Sequence, residues 1–116
     1  MKKLVLGDLS IERDWGWADE YMSAAISIMR RGKYDRYVVA TGEKNSLENF
    51  VQACFSRLGL DYLDFVEIDS SLFRPAEIKS NFGNPERLLN DLGWRPTHKM
   101  RDVVANMVDH YRSSNI

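Results

Sequence analysis

The sequence predicts a mixed α/β fold in which helices alternate with short strands. Four segments carry apolar residues at helical spacing, and short runs rich in β-branched and aromatic residues lie between them. Glycines stand where several of these elements should end. The chain has 116 residues, 44% hydrophobic and 28% charged, which is typical of one globular unit. We therefore predict a single domain over residues 1–116.

The first part of the chain predicts a strand, a helix and a second strand. A short buried strand is expected at Leu4–Leu6, and a helix over about residues 17–31. Asp14 is the predicted N-cap of this helix, and Gly32 its left-handed stop. Residues 36–41 are rich in β-formers and predict the second strand. The apolar face of the helix is expected to comprise Ala18, Tyr21, Met22, Ala25, Ile28 and Met29.

The middle of the chain predicts a helix, a strand and a loop. Ser46 is a good N-cap for a helix that Gly59 closes. A short strand is expected at residues 64–68. Residues 69–83 show no clear period, so we expect a loop with room for short strands.

Two further helices are predicted in the last third. Asn84 followed by Pro85 is a favourable helix start, and Gly93 is the expected stop. Trp94 is then expected to fold back as a hydrophobic anchor. The final helix should cover about residues 99–112.

Charge and composition exclude several functional classes. Lys and Arg number 16 against 17 Asp and Glu, so the basic excess of a general nucleic-acid binder is missing. No apolar run approaches the ~20 residues of a membrane span, and we expect a cytoplasmic protein. Cys54 is alone and is interpreted as a small buried hydrophobe, while His98 and His110 lack a second ligand at metal spacing. No metal site is therefore predicted.

Three short segments contain residues that could bind a phosphorylated ligand. Arg13 lies just before a predicted helix, where a guanidinium and the helix end could hold a phosphate, although a solvated arginine is the alternative. Arg74 is aimed by Pro75, and Glu77 could accept sugar hydroxyl hydrogen bonds; an ion pair that pins the loop is the alternative. Asn45 lies in a turn and could contact a ligand or serve the turn itself.

Taken in order, these motifs resemble the C-terminal half of the GDP-mannose 4,6-dehydratases, a family of extended short-chain dehydrogenases/reductases. The similarity runs through nearly the whole chain and keeps the family's order and spacing. The resemblance implies the C-terminal, substrate-binding part of that fold without the complete Rossmann domain. The segments that carry the resemblance are residues 6–9, 13–18, 37–43, 73–77, 83–85 and 92–96.

The resemblance also implies roles for the candidate residues. In related nucleotide-sugar enzymes, arginines at the positions of Arg13 and Arg74 clamp the diphosphate, and the acidic residue at Glu77 meets the ribose. Asn45 resembles, more loosely, a phosphate or sugar contact. The expected ligand is therefore a GDP-sugar or a related nucleotide sugar.

Other features of the family are missing from the sequence. The family binds NADP at a Gly-x-x-Gly-x-x-Gly turn, which does not occur here, and none of the five tyrosines has a lysine four residues later. The parent reaction oxidises the sugar at C4, eliminates water across C5 and C6, and returns the hydride to C6. We expect no catalytic residue and no bound cofactor in this chain, which should be inactive alone as a truncated gene product or a fragment.

The expected partners are a second copy of the chain or a separate dinucleotide-binding half. Asp8 stands where the family usually has Asn, and Trp17 where it often has His, so the sugar itself is not fixed by the resemblance. Two alternatives to a dehydratase portion remain open at this point. One is a stand-alone nucleotide-sugar sensing module, and the other is an interaction protein that keeps the fold without the ligand.

Overall fold

The fold is that of a computed structural model, which describes residues 2–32 and 35–114. Helices and short strands alternate along the chain, so the mixed α/β prediction is confirmed. The helices are α1 (Ala18–Arg31), α2 (Leu47–Arg57), α3 (Glu86–Leu92) and α4 (Met100–Ser114). The strands are β1 (Leu4–Leu6), β2 (Glu12–Arg13), β3 (Asn45–Ser46) and β4 (Val66–Ile68), with 3₁₀ turns at Tyr62–Asp64 and Ser70–Leu72.

The strands form two separate pairs. β1 and β4 are parallel, with Leu4 opposite Val66, which confirms that both predicted segments form strands. The prediction that the first strand is buried is wrong, because Leu4 and Val5 are both exposed. The second is shorter than predicted, because Tyr62–Asp64 forms a 3₁₀ turn before it. β2 and β3 are antiparallel and place Arg13 opposite Asn45, a pairing that the sequence did not predict.

The strand predicted at residues 36–41 is wrong. Within the described ranges this segment pairs with no other strand, because β1 and β4 pair with each other and β2 pairs with β3. Side chains hold the segment instead: Arg87 donates to the Arg36 carbonyl at 3.0 Å, and the Tyr37 hydroxyl donates to Asp91 at 3.0 Å. A segment with high β-propensity does not form a strand unless a second backbone segment lies beside it and exchanges hydrogen bonds with it.

Local signals at the start of α2 and at the C-terminal ends of α1 and α3 behave as predicted. The Ser46 hydroxyl accepts a hydrogen bond of 3.0 Å from the backbone N–H three residues on, as an N-cap does. Gly32 and Gly93 both lie in the left-handed region, with φ of 72° and 69°. The Asn84 side chain accepts from the Glu86 N–H at 3.0 Å, and α3 begins one residue later than predicted.

The main hydrophobic cluster joins α1 to α3. Ala24 and Leu88 are fully buried, and the Trp94 ring closes over them, so the anchoring role predicted for Trp94 is confirmed. Tyr21 and Ile28 pack against the same cluster. The Trp94 indole also donates to the Glu20 carbonyl at 3.2 Å, which satisfies its only polar atom.

Three residues of the predicted apolar face of α1 face solvent. Ala18 is exposed, and Met22 and Met29 are 61% and 78% exposed. Ala24 is fully buried and lies in the cluster with Leu88 and Trp94. The buried stripe therefore runs through Tyr21, Ala24 and Ile28, and the methionines face solvent.

A second packing unit consists of α2 and α4. The buried residues on these helices are Val51, Met100, Val103 and Val104. At the far end of the pair, Arg57 forms a bidentate ion pair with Asp109, at 3.1 and 2.6 Å. The fold thus has two packing units, and the segments between them carry the candidate site.

We predict that Leu88→Ala lowers the free energy of unfolding by about 2–5 kcal/mol, because a fully buried leucine leaves both lost burial and a cavity. Urea denaturation followed by far-UV circular dichroism measures this. Leu63→Ala is the control, since Leu63 is 66% exposed and should change stability by less than about 0.5 kcal/mol. Equal effects of the two variants would contradict the assignment of the core.

Candidate functional site

The Asp14 carboxylate ties together three distant segments of the chain. Its Oδ1 accepts from the Thr41 N–H at 3.0 Å and from the Thr41 hydroxyl at 2.6 Å. Its Oδ2 accepts from the Gly42 N–H at 3.0 Å and the Gly83 N–H at 3.3 Å. The predicted N-cap role of Asp14 is therefore wrong: α1 begins at Ala18 without a side-chain cap.

Arg13 is held rigidly beside this junction. Its Nη1 donates to the carbonyls of Glu12 and Ile78, both at 2.8 Å. Its Nη2 donates to Glu77 Oε1 at 2.8 Å. Both side chains of this ion pair are largely sheltered from water, at 27% and 18% exposure. The guanidinium is thus fixed before any ligand arrives.

Arg74 approaches the same carboxylate from the solvent side. Its Nε lies 3.8 Å from Glu77 Oε2, and its side chain is 82% exposed. Glu77 therefore lies between a fixed guanidinium and an exposed one. The ion pair between Arg74 and Glu77 that was the alternative is present, but it is long, at 3.8 Å. The short ion pair of Glu77 is the unpredicted one with Arg13, at 2.8 Å.

The three residues line one open cavity of about 410 Å³. Trp15 and Phe73 contribute aromatic surface to its wall. Trp15 is backed by Phe50, with ring centroids 4.5 Å apart, so its ring is positioned by packing. This volume lies within the ~300–1,000 Å³ of ordinary small-molecule sites.

Asn45 is the predicted site residue that does not line this cavity. Its carbonyl accepts a weak hydrogen bond of 3.4 Å from the Trp15 indole. It borders a different cavity of about 640 Å³ between α2 and α4, together with Arg57 and Arg101. Asn45 is therefore linked to Arg13 through the β2–β3 pair and not through a shared cavity.

An acidic group with a strongly shifted pKa also borders the cavity. Lys79 Nζ donates to Asp8 Oδ2 at 2.6 Å, and Ser10 donates to the other oxygen from its N–H at 2.9 Å and from its hydroxyl at 2.6 Å. The Lys79 hydrogen bond, helped by those from Ser10, lowers the Asp8 pKa from 3.8 to about 2. Lys79 and the Asp14 junction were not predicted, because only the fold brings their partners near.

The residues present do not fit a dinucleotide cofactor. The glycines between β1 and α1 are Gly7 and Gly16, which are too far apart for a diphosphate-binding turn. A Cβ at Gly16 would overlap the Tyr21 hydroxyl, so this glycine makes room for a side chain of the chain itself. The segment between β1 and α1 therefore does not provide a dinucleotide-binding turn.

Across residues 2–32 and 35–114, no three His, Cys, Asp or Glu side chains lie close enough together to hold a metal ion. Among the helices of that part of the chain, none is both long enough and apolar enough to cross a bilayer.

We predict that the Asp8 carboxyl titrates with a midpoint near 2 and that Lys79→Met moves this midpoint up toward 3.8. Because the folded pKa lies below the ordinary value, the stabilisation from Asp8 is present above pH 3.8 and is lost as the pH falls toward 2. Carboxyl-detected NMR titration measures both proteins. Asp69 is the internal control: Ser71 lowers its pKa without a lysine, so Lys79→Met should leave it unchanged.

Solved structures place this chain within a known fold. RMD from Pseudomonas aeruginosa, complexed with NADPH, superposes with a TM-score of 0.83 over 97% of this chain and 36% of that chain, at 19% identity. The dTDP-glucose 4,6-dehydratase of Bacillus anthracis, in complex with NAD, superposes with a TM-score of 0.85 over 98% of this chain and 36% of that chain, at 22% identity. The fold is thus a partial extended short-chain dehydrogenase/reductase fold.

Sequence comparison gives the family. GDP-mannose 4,6 dehydratase 2 of Arabidopsis thaliana is 42% identical over 107 residues, covering 92% of this chain and 29% of that protein. Dehydratase 1 of the same plant is 38% identical, over 92% of this chain and 30% of that protein. The chain therefore spans about a third or less of the length of these relatives. The sequence model of GDP-mannose 4,6 dehydratase matches residues 1–107, and the chain belongs to this family.

Proposed function

We propose that the chain is the nucleotide-sugar-binding portion of a GDP-mannose 4,6-dehydratase and binds a GDP-mannose-like ligand through Arg13, Arg74 and Glu77. The observation that carries the proposal is the convergence of these three side chains on one open cavity. They come from segments more than sixty residues apart, and each has the chemistry that one part of a nucleoside diphosphate sugar requires.

The two arginines are suited to complementary parts of a diphosphate. Arg13 uses three of the five N–H donors of a guanidinium within the protein, which leaves two for phosphate oxygens in a fixed direction. Arg74 is held only by a contact of 3.8 Å and can swing onto the ligand. One preset donor and one mobile donor can clamp a diphosphate without rebuilding the site.

Glu77 then has two functions in the proposed complex. Its Oε1 fixes Arg13, while its Oε2 faces the exposed Arg74 guanidinium. When Arg74 turns to the phosphate, Oε2 becomes available to accept a ribose hydroxyl. The aromatic surface of Trp15 and Phe73 offers apolar contact for the base or sugar.

Relatives of the same fold support this class of ligand. A UDP-glucose 4-epimerase of Bifidobacterium longum was solved in complex with NAD⁺ and UDP, with a TM-score of 0.79 and 16% identity over 99% of this chain. A UDP-glucose 4-epimerase of Thermotoga maritima was solved with UDP-glucose. We place the phosphate clamp of this chain in the same class of site, with Asn45 as an outer contact, and we propose a cytoplasmic location.

Catalysis would need a second component. The family reaction depends on a nicotinamide cofactor, and the residues present do not fit a dinucleotide. The relatives are about three times as long as this chain, so the dehydratase activity of the whole protein is a proposal here. We propose that a separate dinucleotide-binding half or a second copy of the chain associates with it.

Calorimetric titration with GDP, GDP-mannose and dTDP-sugars is expected to show binding, and Arg74→Ala should weaken it roughly ten- to hundredfold, because charge-assisted hydrogen bonds to the diphosphate are lost. Arg74 is 82% exposed, so the substitution should leave the fold intact. Arg95→Ala, an exposed arginine outside the cavity, is the matched control and should bind as the wild type does.

The outcomes separate the alternatives. If no nucleotide binds at millimolar concentration, the chain is an interaction protein and both ligand-binding hypotheses are wrong. Binding that Arg74→Ala leaves unchanged would reject the site assignment. The chain can also be mixed with the dinucleotide-binding half of a family member. If the mixture still binds the nucleotide sugar but gains no dehydratase activity, the sensing module is favoured.

We also predict that the purified chain alone forms no 4-keto sugar from GDP-mannose in the presence of NADP. The physical reason is that neither a fitted dinucleotide site nor a Tyr-x-x-x-Lys pair is present in the sequence. Chromatography of the reaction products with mass detection checks this. Formation of the 4-keto product, proportional to the concentration of the chain, would contradict catalytic silence.

A further inference from the structure

The candidate cavity lies beyond the carboxyl ends of the two parallel strands. Gly7 and Asp8 follow β1, and Leu72 and Phe73 stand at the end of the 3₁₀ turn that follows β4; all four residues line the cavity. The two segments approach closely at Gly7, where a Cβ would lie 3.3 Å from the Leu72 carbonyl oxygen. Ligands of parallel α/β sheets bind at this end of the strands. The residues that follow β1 are therefore placed to meet a ligand.

Asp8 is the charged lining residue to which the proposed function gives no role. Among the described residues that line the cavity, four are charged: Asp8, Arg13, Arg74 and Glu77. The diphosphate and the ribose account for the last three. The Asp8 side chain is 12% exposed, so its neighbours hold it at a defined place in the wall. The base and the hexose are the two parts of a nucleotide sugar that remain for Asp8 to contact.

The neighbours of Asp8 connect it to the ribose side of the site. The Glu77 carboxylate and the Ile78 carbonyl accept from Arg13, both at 2.8 Å. The next residue, Lys79, donates to Asp8 at 2.6 Å. Two residues of chain span at most about 7 Å, so Asp8 is tied to the segment that is proposed to meet the ribose. The base is bonded to the ribose, whereas the hexose lies beyond the diphosphate, and the position of Asp8 therefore favours the base.

The Asp8 carboxylate has an unused acceptor site. Its Oδ1 accepts from the Ser10 N–H at 2.9 Å and from the Ser10 hydroxyl at 2.6 Å. Among the described residues, its Oδ2 accepts one hydrogen bond, from Lys79 Nζ at 2.6 Å. Each carboxylate oxygen has about two lone-pair sites, so one site on Oδ2 is open. The hydrogen bonds from Lys79 and Ser10 lower the Asp8 pKa to about 2, so the group is ionised at neutral pH and can only accept.

We propose that Asp8 and Lys79 select guanine as the base of the ligand. Guanine presents three groups in a row along one edge: the O6 acceptor, the N1–H donor and the 2-amino donor. Asp8 Oδ2 accepts from N1–H and the 2-amino group, while Lys79 Nζ donates to O6. Lys79 is 70% exposed and can turn from Oδ2 to O6, which opens the second acceptor site of Oδ2. The inference rests on the proposed function, because the phosphate clamp must hold the rest of the nucleotide.

The other bases do not match an ionised carboxylate. Uracil and thymine have a carbonyl on each side of their ring N–H, so one carbonyl faces Asp8. Adenine and cytosine have an unprotonated ring nitrogen beside their amino group. Because the Asp8 carboxylate cannot donate, each of these bases brings an acceptor against an acceptor. A site that is built to pair with donors rejects ligands that lack them.

Asparagine, the usual family residue at this position, should select the base less strictly than Asp8. An amide has one acceptor oxygen and a donor NH₂ group. In this chain the Ser10 N–H and hydroxyl would engage the amide oxygen, because an N–H cannot pair with NH₂. The NH₂ group would then face the cavity, where it opposes the donors of guanine and fits a carbonyl of uracil.

The experiment is calorimetric titration of the full chain with GDP, IDP and UDP. IDP lacks only the 2-amino group of guanine, so it isolates that contact. We expect the wild-type chain to bind GDP roughly tenfold or more tightly than IDP or UDP, because these lose a hydrogen bond to a charged group. Asp8→Asn should lower the ratio of GDP affinity to UDP affinity roughly ten- to hundredfold. The ratio is measured because removing a negative charge strengthens the binding of every diphosphate alike.

Asp69→Asn is the matched control. Asp69 forms the same turn with Ser71, with hydrogen bonds of 2.9 Å from the N–H and 2.7 Å from the hydroxyl, and it does not line the cavity. This variant should leave all three affinities unchanged. Lys79→Met should weaken GDP, IDP and UDP alike and keep the preference for GDP, because all three bases present a carbonyl to Lys79.

Failure of this inference and failure of the proposed function give different results. If no nucleotide binds at millimolar concentration, the proposed function is wrong and the selection of guanine fails with it. If GDP, IDP and UDP bind equally well, the phosphate clamp stands and the selection of guanine is rejected. A GDP preference that Asp8→Asn retains rejects the role of Asp8. An effect of Asp8→Asn on GDP-mannose but not on GDP assigns Asp8 to the hexose and overturns the proposal.

A measurement on the wild-type chain covers the case in which Asp8→Asn does not fold. The carboxyl carbon resonance of Asp8 should shift when GDP is added, because its hydrogen bonds change, and it should shift less with IDP. Carboxyl-detected NMR measures this, with the Asp69 resonance as the internal reference. An Asp8 resonance that stays in place while GDP saturates the site overturns the proposal.

Discussion

The carboxylate of Asp14 is the constraint on which the arrangement of the site depends. The fold has two hydrophobic packing units, one around Leu88 and Trp94 and one between α2 and α4. Asp14 joins the segments between them through four hydrogen bonds, to Thr41, Gly42 and Gly83. Lys99 adds a bond of 3.0 Å from its Nζ to the Thr41 carbonyl, so the polar junction also reaches the start of α4.

The position of Arg13 depends on this junction because Arg13 is the residue next to Asp14. The hydrogen bonds of Asp14 fix the backbone there, and two carbonyl oxygens accept hydrogen bonds from the Arg13 guanidinium and hold it in place. Arg74 lies on a loop with no such support and remains 82% exposed. The cavity thus combines a donor that is organised by folding with one that ligand contacts must order. Only the second has to lose side-chain freedom on binding.

How far the sequence could predict these features depends on how local each one is. Ser46 and Gly93 act on neighbours within a few residues, so the helix ends they set were predicted well. The partners of Asp14 lie 27 to 69 residues away, and a capping role was the wrong local interpretation. Residues 36–41 have the composition of a strand, but strand formation requires a partner that no local pattern supplies.

The chemistry of the site was also predicted only in part, because its residues are far apart in the sequence. From the residues alone, Arg13 was more simply explained as a solvated charge and Glu77 as the ion-pair partner of Arg74. Only the family's motif order indicated that Arg13 and Glu77 act together. The fold brings them to 2.8 Å, and the ion pair they form is structural as well as a candidate for binding. These two roles are compatible because Glu77 has a second oxygen and Arg13 has unused donors. The pair that pins the loop therefore also fixes the direction from which a phosphate can be bound.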